Sequence, residues 1–251
     1  IGSEKTQTHL IFVQNNHEIR APGGFITAVG RGKLDHGGIS GLEFSDSYTV
    51  YVEGHNYPKA PAAQEKYMRI PILLFRDANW SPDLPTSAQT LKAIYYQDTQ
   101  VAVDGIITVD INAVTTIVDA LGKLTLEGSE EPITGANIVD FLKQLWAQPL
   151  NSEGTVQADN FDVEWWKRRK DFVPALAKAI LQRVQSGDFD KLALVNAALH
   201  SLDQRFVQVW VNDKDAAKAL AWQGWDGGLE PEAASDFLAL VDTNMGYNKV
   251  D

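Results

Sequence analysis

The stretch from Asp104 to Gly122 constrains the fold more than any other part of the chain. Asp104 to Val109 is rich in β-branched residues, and Asp110 follows it with the short acceptor side chain that begins helices. Val114, Ile117, Val118 and Leu121 then recur at helical spacing until Gly122, which suits a helix stop. A strand that passes straight into an amphipathic helix is half of a βαβ unit. Such units call for a sheet with parallel pairing and helical cover.

The flanking segments agree. His9 to Val13 is a short apolar run that reads as a buried strand. Phe25 to Val29 and Ile39 to Phe44 read as a hairpin across Asp35-His36-Gly37-Gly38. Residues 53–64 have no period and suggest a surface excursion. The apolar run Ile70 to Phe75 precedes a polar cluster, and Ser87 is placed to cap a helix carrying Leu91, Ile94 and Tyr95. Leu124 to Leu126 reads as a short strand, and Thr134 begins a helix with Ile138, Phe141, Leu142 and Leu145 on one stripe. Trp165, Arg169, Phe172, Leu176 and Ile180 share a face of the next helix, where Pro174 either kinks the helix or lies in its first turn. Phe189 to Leu202 is expected as a helix with Leu192, Val195 and Leu199 inward. Phe206 to Val211 is expected as a strand, Asp213 as the cap of a helix ending near Gly224, and Phe237 to Val241 as a last strand. The expected architecture is a single α/β domain over residues 1–251, a mixed central sheet flanked by helices with its polar turns gathered at one end.

Polar density is concentrated in Gln14-Asn15-Asn16-His17-Glu18-Ile19-Arg20-Ala21-Pro22-Gly23-Gly24-Phe25. Pro22, Gly23 and Gly24 allow a sharp turn and a close backbone approach, and the carboxyl end of a strand is where open α/β sheets hold ligands. An ordinary polar turn is the simpler reading. Two further polar turns, Arg76 to Asp83 and Asp242 to Gly246, follow apolar runs.

Charge narrows the partners. The formal net charge is -11 and the pI about 4.9, which argues against nucleic acid. An anionic ligand then needs a local basic pocket, and Arg20, Arg76 and Arg169 are the candidates, with Arg168 and Lys170 beside them. Each arginine is equally able to pair with a neighbouring acid such as Glu18 or Asp77. Asp46, Asp77 and Asp83 are candidate oxygen ligands for Mg²⁺ or, more simply, turn formers and caps. With 0 cysteines there is no disulfide and no thiolate metal site. The 5 histidines lack ligand spacing, Gly30-Arg31-Gly32 lacks a third glycine, and Gly38-Ile39-Ser40-Gly41 is short of a serine elbow. Trp80, Trp165, Trp166, Trp222 and Trp225 are placed either to stack on sugars or to pack in the core. The apolar runs are too short to span a bilayer, and the abrupt start at Ile1-Gly2-Ser3 reads as that of an excised fragment, which leaves room for an anchor outside it.

As an ordered set, Gln14 to Phe25, Arg76 to Trp80, Val103 to Ile107, Arg169-Lys170 and Asp242 to Lys249 resemble a bacterial domain family of unknown function. Its members are surface proteins tethered by an upstream membrane helix. More distantly, Val103 to Leu126 with Val118-Asp119-Ala120-Leu121-Gly122, and Trp166 to Leu181, are similar to the LytR-CpsA-Psr family. Those enzymes move glycopolymers from a polyprenyl pyrophosphate carrier onto the bacterial cell wall. The resemblance implies an extracytoplasmic domain, membrane-anchored in the full-length protein, that binds a polyprenyl-pyrophosphate-linked glycan and, where catalytic, transfers it. A non-catalytic module binding wall polysaccharide or a partner protein is the alternative. The residues expected to serve such a function are Arg20, Arg76 and Asp77 for catalysis, Asn16, Arg168, Arg169 and Lys170 for substrate, and Asp46 and Asp77 for Mg²⁺. The chain departs from that family at Glu43-Phe44-Ser45-Asp46-Ser47, which lacks the family's arginine, and at Lys123, where the family has a second glycine.

Overall fold

The computed structural model describes residues 5–126, 131–146, 163–230, 234 and 236–245, with the backbone alone at 145–146 and 163–170. The chain forms two compact units, one of Ile1–Ile111 with Ser201–Asp251 and the other of Asn112–His200.

The first unit is built on a mixed sheet. Strands β1 (Gln7–Asn15), β2 (Phe25–Asp35), β3 (Gly38–Asp46), β4 (Gly105–Val109) and β5 (Val207–Val211) lie in the order β3-β2-β1-β4-β5. β1 runs antiparallel to β2 and parallel to β4, with Val13 opposite Val109. The two strands therefore end side by side. The β2–β3 hairpin turns through His36 and Gly37, both at positive φ, as a two-residue turn that follows strand twist requires.

Alternation along β1 sends Leu10 and Phe12 into the core, where they meet Ile26 of β2, Ile106 of β4 and Phe75. Phe12 and Phe75 pack edge to face at 5.5 Å. Helix α1 (Leu84–Thr99) lays Leu84, Ala88, Leu91 and Ile94 on the same core. Each such large side chain contributes about 1.5–3 kcal/mol by leaving water.

The second unit contains α2 (Ile111–Leu121, whose first residue belongs to the first unit), α3 (Ile138–Trp146), α4 (Val163–Ser186) and α5 (Lys191–Asp203, which continues into the first). Gly122 stops α2 at φ +76. Phe141 of α3 and Phe172 of α4 pack at 5.2 Å, and the Arg183 Nε of α4 donates to the Leu121 carbonyl at 3.1 Å. Helix α6 (Lys214–Trp222), capped by Asp213, lies against β5 in the first unit. Among the described residues no helix is long and apolar enough to cross a membrane.

The structure corrects the sequence reading in several places. Asp83 caps α1, four residues earlier than expected; Ser87 is buried and donates instead to the Ser81 carbonyl. Residues 53–64 are not simply a surface excursion, since Tyr57, Ala60 and Gln64 are buried. Ile70 to Phe75 makes only a single bridge, Lys59 to Ile72, before a 3-10 turn at Phe75–Asp77. Leu124 to Leu126 likewise reduces to one bridge, between Leu124 and Ile133. Helix α3 starts at Ile138 rather than Thr134, while α4 continues through Pro174. On α5 the expected inward face is exposed, with Leu192 at 69%, Val195 at 53% and Leu199 at 43%. Phe237 to Val241 joins no sheet, and Leu238 and Leu240 are almost fully exposed. A periodic apolar stripe marks a face but not what covers it.

Candidate functional site

The three polar turns meet beyond the carboxyl end of β1, and Arg20 ties them together. The turn after β1 is closed by its own backbone: Glu18 N–H donates to the Asn15 carbonyl at 3.1 Å, Gly23 N–H to Arg20 at 3.1 Å and Phe25 N–H to Glu18 at 2.9 Å. Gly24 sits at φ +136 against the Asn15 backbone, where a β-carbon would overlap the Asn15 carbonyl. Only glycine permits that approach.

This turn carries Arg20 into the protein, with its side chain only 2% exposed. Its Nη1 donates to the Ile19 carbonyl at 3.1 Å and to the Asn244 carbonyl at 3.0 Å. Its Nη2 donates to Glu18 Oε1 at 3.4 Å and to Asp77 Oδ1 at 3.3 Å, and the guanidinium lies 5.4 Å from the Phe25 ring centre. Asn244 N–H donates in turn to Ile19, so the third turn is pinned from both sides.

Arg76 differs. Its side chain is 20% exposed, its Nε approaches Asp77 Oδ2 only to 3.7 Å, and the guanidinium lies over the Tyr48 ring at 4.3 Å. Asp77 is thus a buried carboxylate between two arginines, one with both terminal nitrogens bonded to protein groups and one with terminal nitrogens that have no hydrogen-bond partner among the described residues. Asn16 donates to Asp110 at 3.4 Å, close to where β4 ends.

Beneath these charges lies a layer of buried amides. Asn79 Nδ2 donates to the Gly24 carbonyl at 2.8 Å and Gln64 Nε2 to the Asp77 carbonyl at 3.3 Å. Gln14 Nε2, Asn16 Oδ1, Arg20 Nε, Gln64 Oε1 and Asn79 Oδ1 are buried without a protein partner. Buried polar groups cost free energy unless bonded, so this layer is a high-energy part of the fold. Gln14 could be found from sequence, because it follows Leu10 and Phe12 at the strand period, in a position a core residue would take. Gln64 and Tyr48 carried no such signal.

Of the expected substrate residues, Asn16 belongs to this cluster, whereas Arg168, Arg169 and Lys170 have side chains outside the described residues. Of the expected Mg²⁺ ligands, Asp77 is committed to two guanidinium groups, and Asp46 caps the Ser47–Thr49 turn by accepting from Tyr48 N–H at 2.9 Å. Among the described residues no group of three or more His, Asp or Glu is placed to hold a metal. In formal charge, Arg20 and Arg76 are balanced by Glu18 and Asp77.

Among solved structures, the chain is similar to the protein gbs0355 from Streptococcus agalactiae, with a TM-score of 0.52 and 10% identity over 89% of this chain and 74% of that one. It is also similar to the LytR-Csp2A-Psr enzyme from Actinomyces oris, with a TM-score of 0.48 and 10% identity over 88% and 76% of the two chains. For TagV of B. subtilis the TM-score is 0.41 and the identity 12%, over 89% and 80%. At such identities the likeness is one of fold: a mixed five-stranded sheet flanked by helices. No curated protein matches the chain. Residues 4–145 match the model of a protein of unknown function, DUF4012. That match spans more than half of the chain, which therefore belongs to the DUF4012 family.

Proposed function

We propose that this is the extracytoplasmic, membrane-anchored part of a cell-envelope protein and that it binds a polyprenyl-pyrophosphate-linked glycan where the three polar turns meet. The observation that carries the reading is the division of labour between the two arginines. Arg20 is spent on two carbonyls and two carboxylates and serves as a positioning residue. Arg76, held over Tyr48 and 3.7 Å from Asp77, keeps its fork available for phosphate oxygens. The sequence resemblance to glycopolymer transferases points to the same chemistry.

Because the described charges cancel, a pyrophosphate needs further positive charge, for which Arg168, Arg169 and Lys170 are the sequence candidates. Asp46 is the remaining carboxylate that could bridge Mg²⁺ to the phosphates. In transfer, an acceptor hydroxyl of the wall would attack the glycan-linked phosphorus and break the phosphoanhydride bond, with polyprenyl phosphate leaving and taking up the hydroxyl proton.

A calorimetric titration with a short-chain polyprenyl pyrophosphate, with and without Mg²⁺, tests the reading. Saturable heat that weakens about tenfold in Arg76→Ala and in Arg169→Ala is expected, from the loss of one charge-assisted contact in each. Heat that is absent, or that neither variant changes, refutes it.

The mutual commitment of Arg20 and Asp77 favours a second reading, a non-catalytic module that binds wall polysaccharide. It predicts binding of carrier-free wall glycan with no release of polyprenyl phosphate from a lipid-linked donor.

A further inference from the structure

A second polar feature lies at the other end of β4. Val103 precedes that strand and Asp110 follows it, so its five residues separate the two ends by about 17 Å. The feature centres on Lys92 of α1. Its ammonium donates to Asn212 Oδ1 at 2.5 Å and lies 4.8 Å from the centre of the Trp210 ring.

Asn212 cannot turn away. Its Nδ2 donates to the Val103 carbonyl at 2.8 Å and its backbone N–H to the Asp104 carbonyl at 2.8 Å. The amide oxygen is thereby aimed at Lys92, and the ammonium is held between a fixed acceptor and an aromatic face. Among the described residues Lys92 has no carboxylate partner, in a chain whose net charge is -11. The half-buried charge is positioned but not neutralised.

Beside the ammonium is a shallow depression of about 370 Å³, with Ala93, Tyr96, Ala102 and Val103 supplying an apolar lining. Gln89, Lys92, Ala93 and Tyr96 follow helical spacing, so α1 offers this stripe separately from the one it buries in the core. The volume is at the small end of ligand sites, which run from roughly 300 to 1,000 Å³.

We propose that this depression is a binding site for a small organic monocarboxylate with an apolar body. The carboxylate accepts from the two N–H groups of Lys92 that Asn212 leaves unused, and the body covers Tyr96, Ala102 and Val103. Charge decides the class. One ammonium neutralises one negative charge, whereas a phosphate dianion brings an unbalanced second charge into an acidic molecule. The site does not depend on the Arg20 cluster or on what binds there.

The test is a titration of the whole ¹⁵N-labelled chain with benzoate, followed through the amide signals of Val103 and Asn212. Benzyl alcohol and phenyl phosphate serve as neutral and dianionic counterparts. Saturable shifts with benzoate are expected, with affinity about tenfold lower in Lys92→Met, through loss of the charge-assisted hydrogen bonds. Ala93→Leu keeps the charge and fills the depression, and is expected to weaken binding to a similar degree. Benzyl alcohol binding as tightly as benzoate, phenyl phosphate binding more tightly, unchanged affinity in either variant, or no saturable shift with benzoate would each overturn the proposal.

Discussion

Replacing Arg20 by leucine removes the centre of the polar cluster while keeping an apolar side chain of comparable reach. Both members of the Arg20–Asp77 pair have side chains only 2% exposed, so Asp77 is left as a buried carboxylate with only Arg76 Nε at 3.7 Å to offset it. The Ile19 and Asn244 carbonyls lose their donor at the same time. Breaking a buried pair by deleting one partner costs about 3–5 kcal/mol. Because Arg76 remains close, the lower end, ~3 kcal/mol, is expected. At about 2–4 °C per kcal/mol for a chain of this size, the thermal midpoint should fall by roughly 6–12 °C. Urea denaturation followed by tryptophan fluorescence measures the loss directly, and urea avoids the screening that a salt denaturant introduces. The double variant Arg20→Leu/Asp77→Leu supplies the check. With both charges gone the fully buried Asp77 carboxylate is no longer stranded, so it should be more stable than Arg20→Leu alone by more than about 1 kcal/mol. A single-variant loss under about 1 kcal/mol, or a double variant whose loss equals the sum of the two singles, would refute the view that the pair is structural.

Two pH effects follow from the half-buried Asp83 and the buried His9. Burial acts to raise the Asp83 pKa, but the Thr86 hydroxyl, the Leu229 N–H and the Thr86 N–H together outweigh it and hold the carboxyl below its ordinary value. A depressed carboxylate contributes stability above its unfolded pKa, about 3.9, that is lost as pH falls through the lower folded value. Asp83→Ala should therefore cost about 1 kcal/mol at pH 7 through loss of the α1 cap, and urea midpoints should show that gap closing in acid; a constant gap contradicts the assignment. Burial lowers the pKa of His9, with Asp104 opposing it. Nε2 faces Gln7 Oε1 at 3.3 Å and Nδ1 is buried without a partner against Gly105, so a proton on Nδ1 has nowhere to donate. The neutral ring suits the fold. The stability due to His9 is complete above the unfolded value, about 6.5, and is lost as pH falls from there toward the lower folded pKa. His9→Gln should flatten that part of the stability profile, and an unchanged profile between pH 7 and 5 would contradict the reading.

Much of the architecture is legible in local pattern. The βα unit from Gly105 to Leu121, the hairpin through His36 and Gly37, and the Asp213-capped helix all lie where spacing and turn chemistry put them. Each depends on residues within a few positions of one another, and the local backbone sets their period. The site was half legible. An arginine ahead of two glycines is conspicuous, and so is Gln14 at a core register. Whether a guanidinium serves a ligand or a neighbouring acid depends on residues far off in the chain.

Sequence by itself determined that this chain is α/β, that a polar turn follows its first strand, and that Arg20 and Arg76 occupy unusual settings, because periodicity, turn residues and charge are local properties. Tertiary structure alone decided that Asp77, 57 positions along, hydrogen-bonds a terminal nitrogen of Arg20 but meets Arg76 only through Nε at 3.7 Å. It also left the α5 stripe and the Phe237 to Val241 stretch facing solvent. Apolar faces and charges are satisfied by whatever the folded chain brings within a few ångströms, and no spacing rule encodes that encounter.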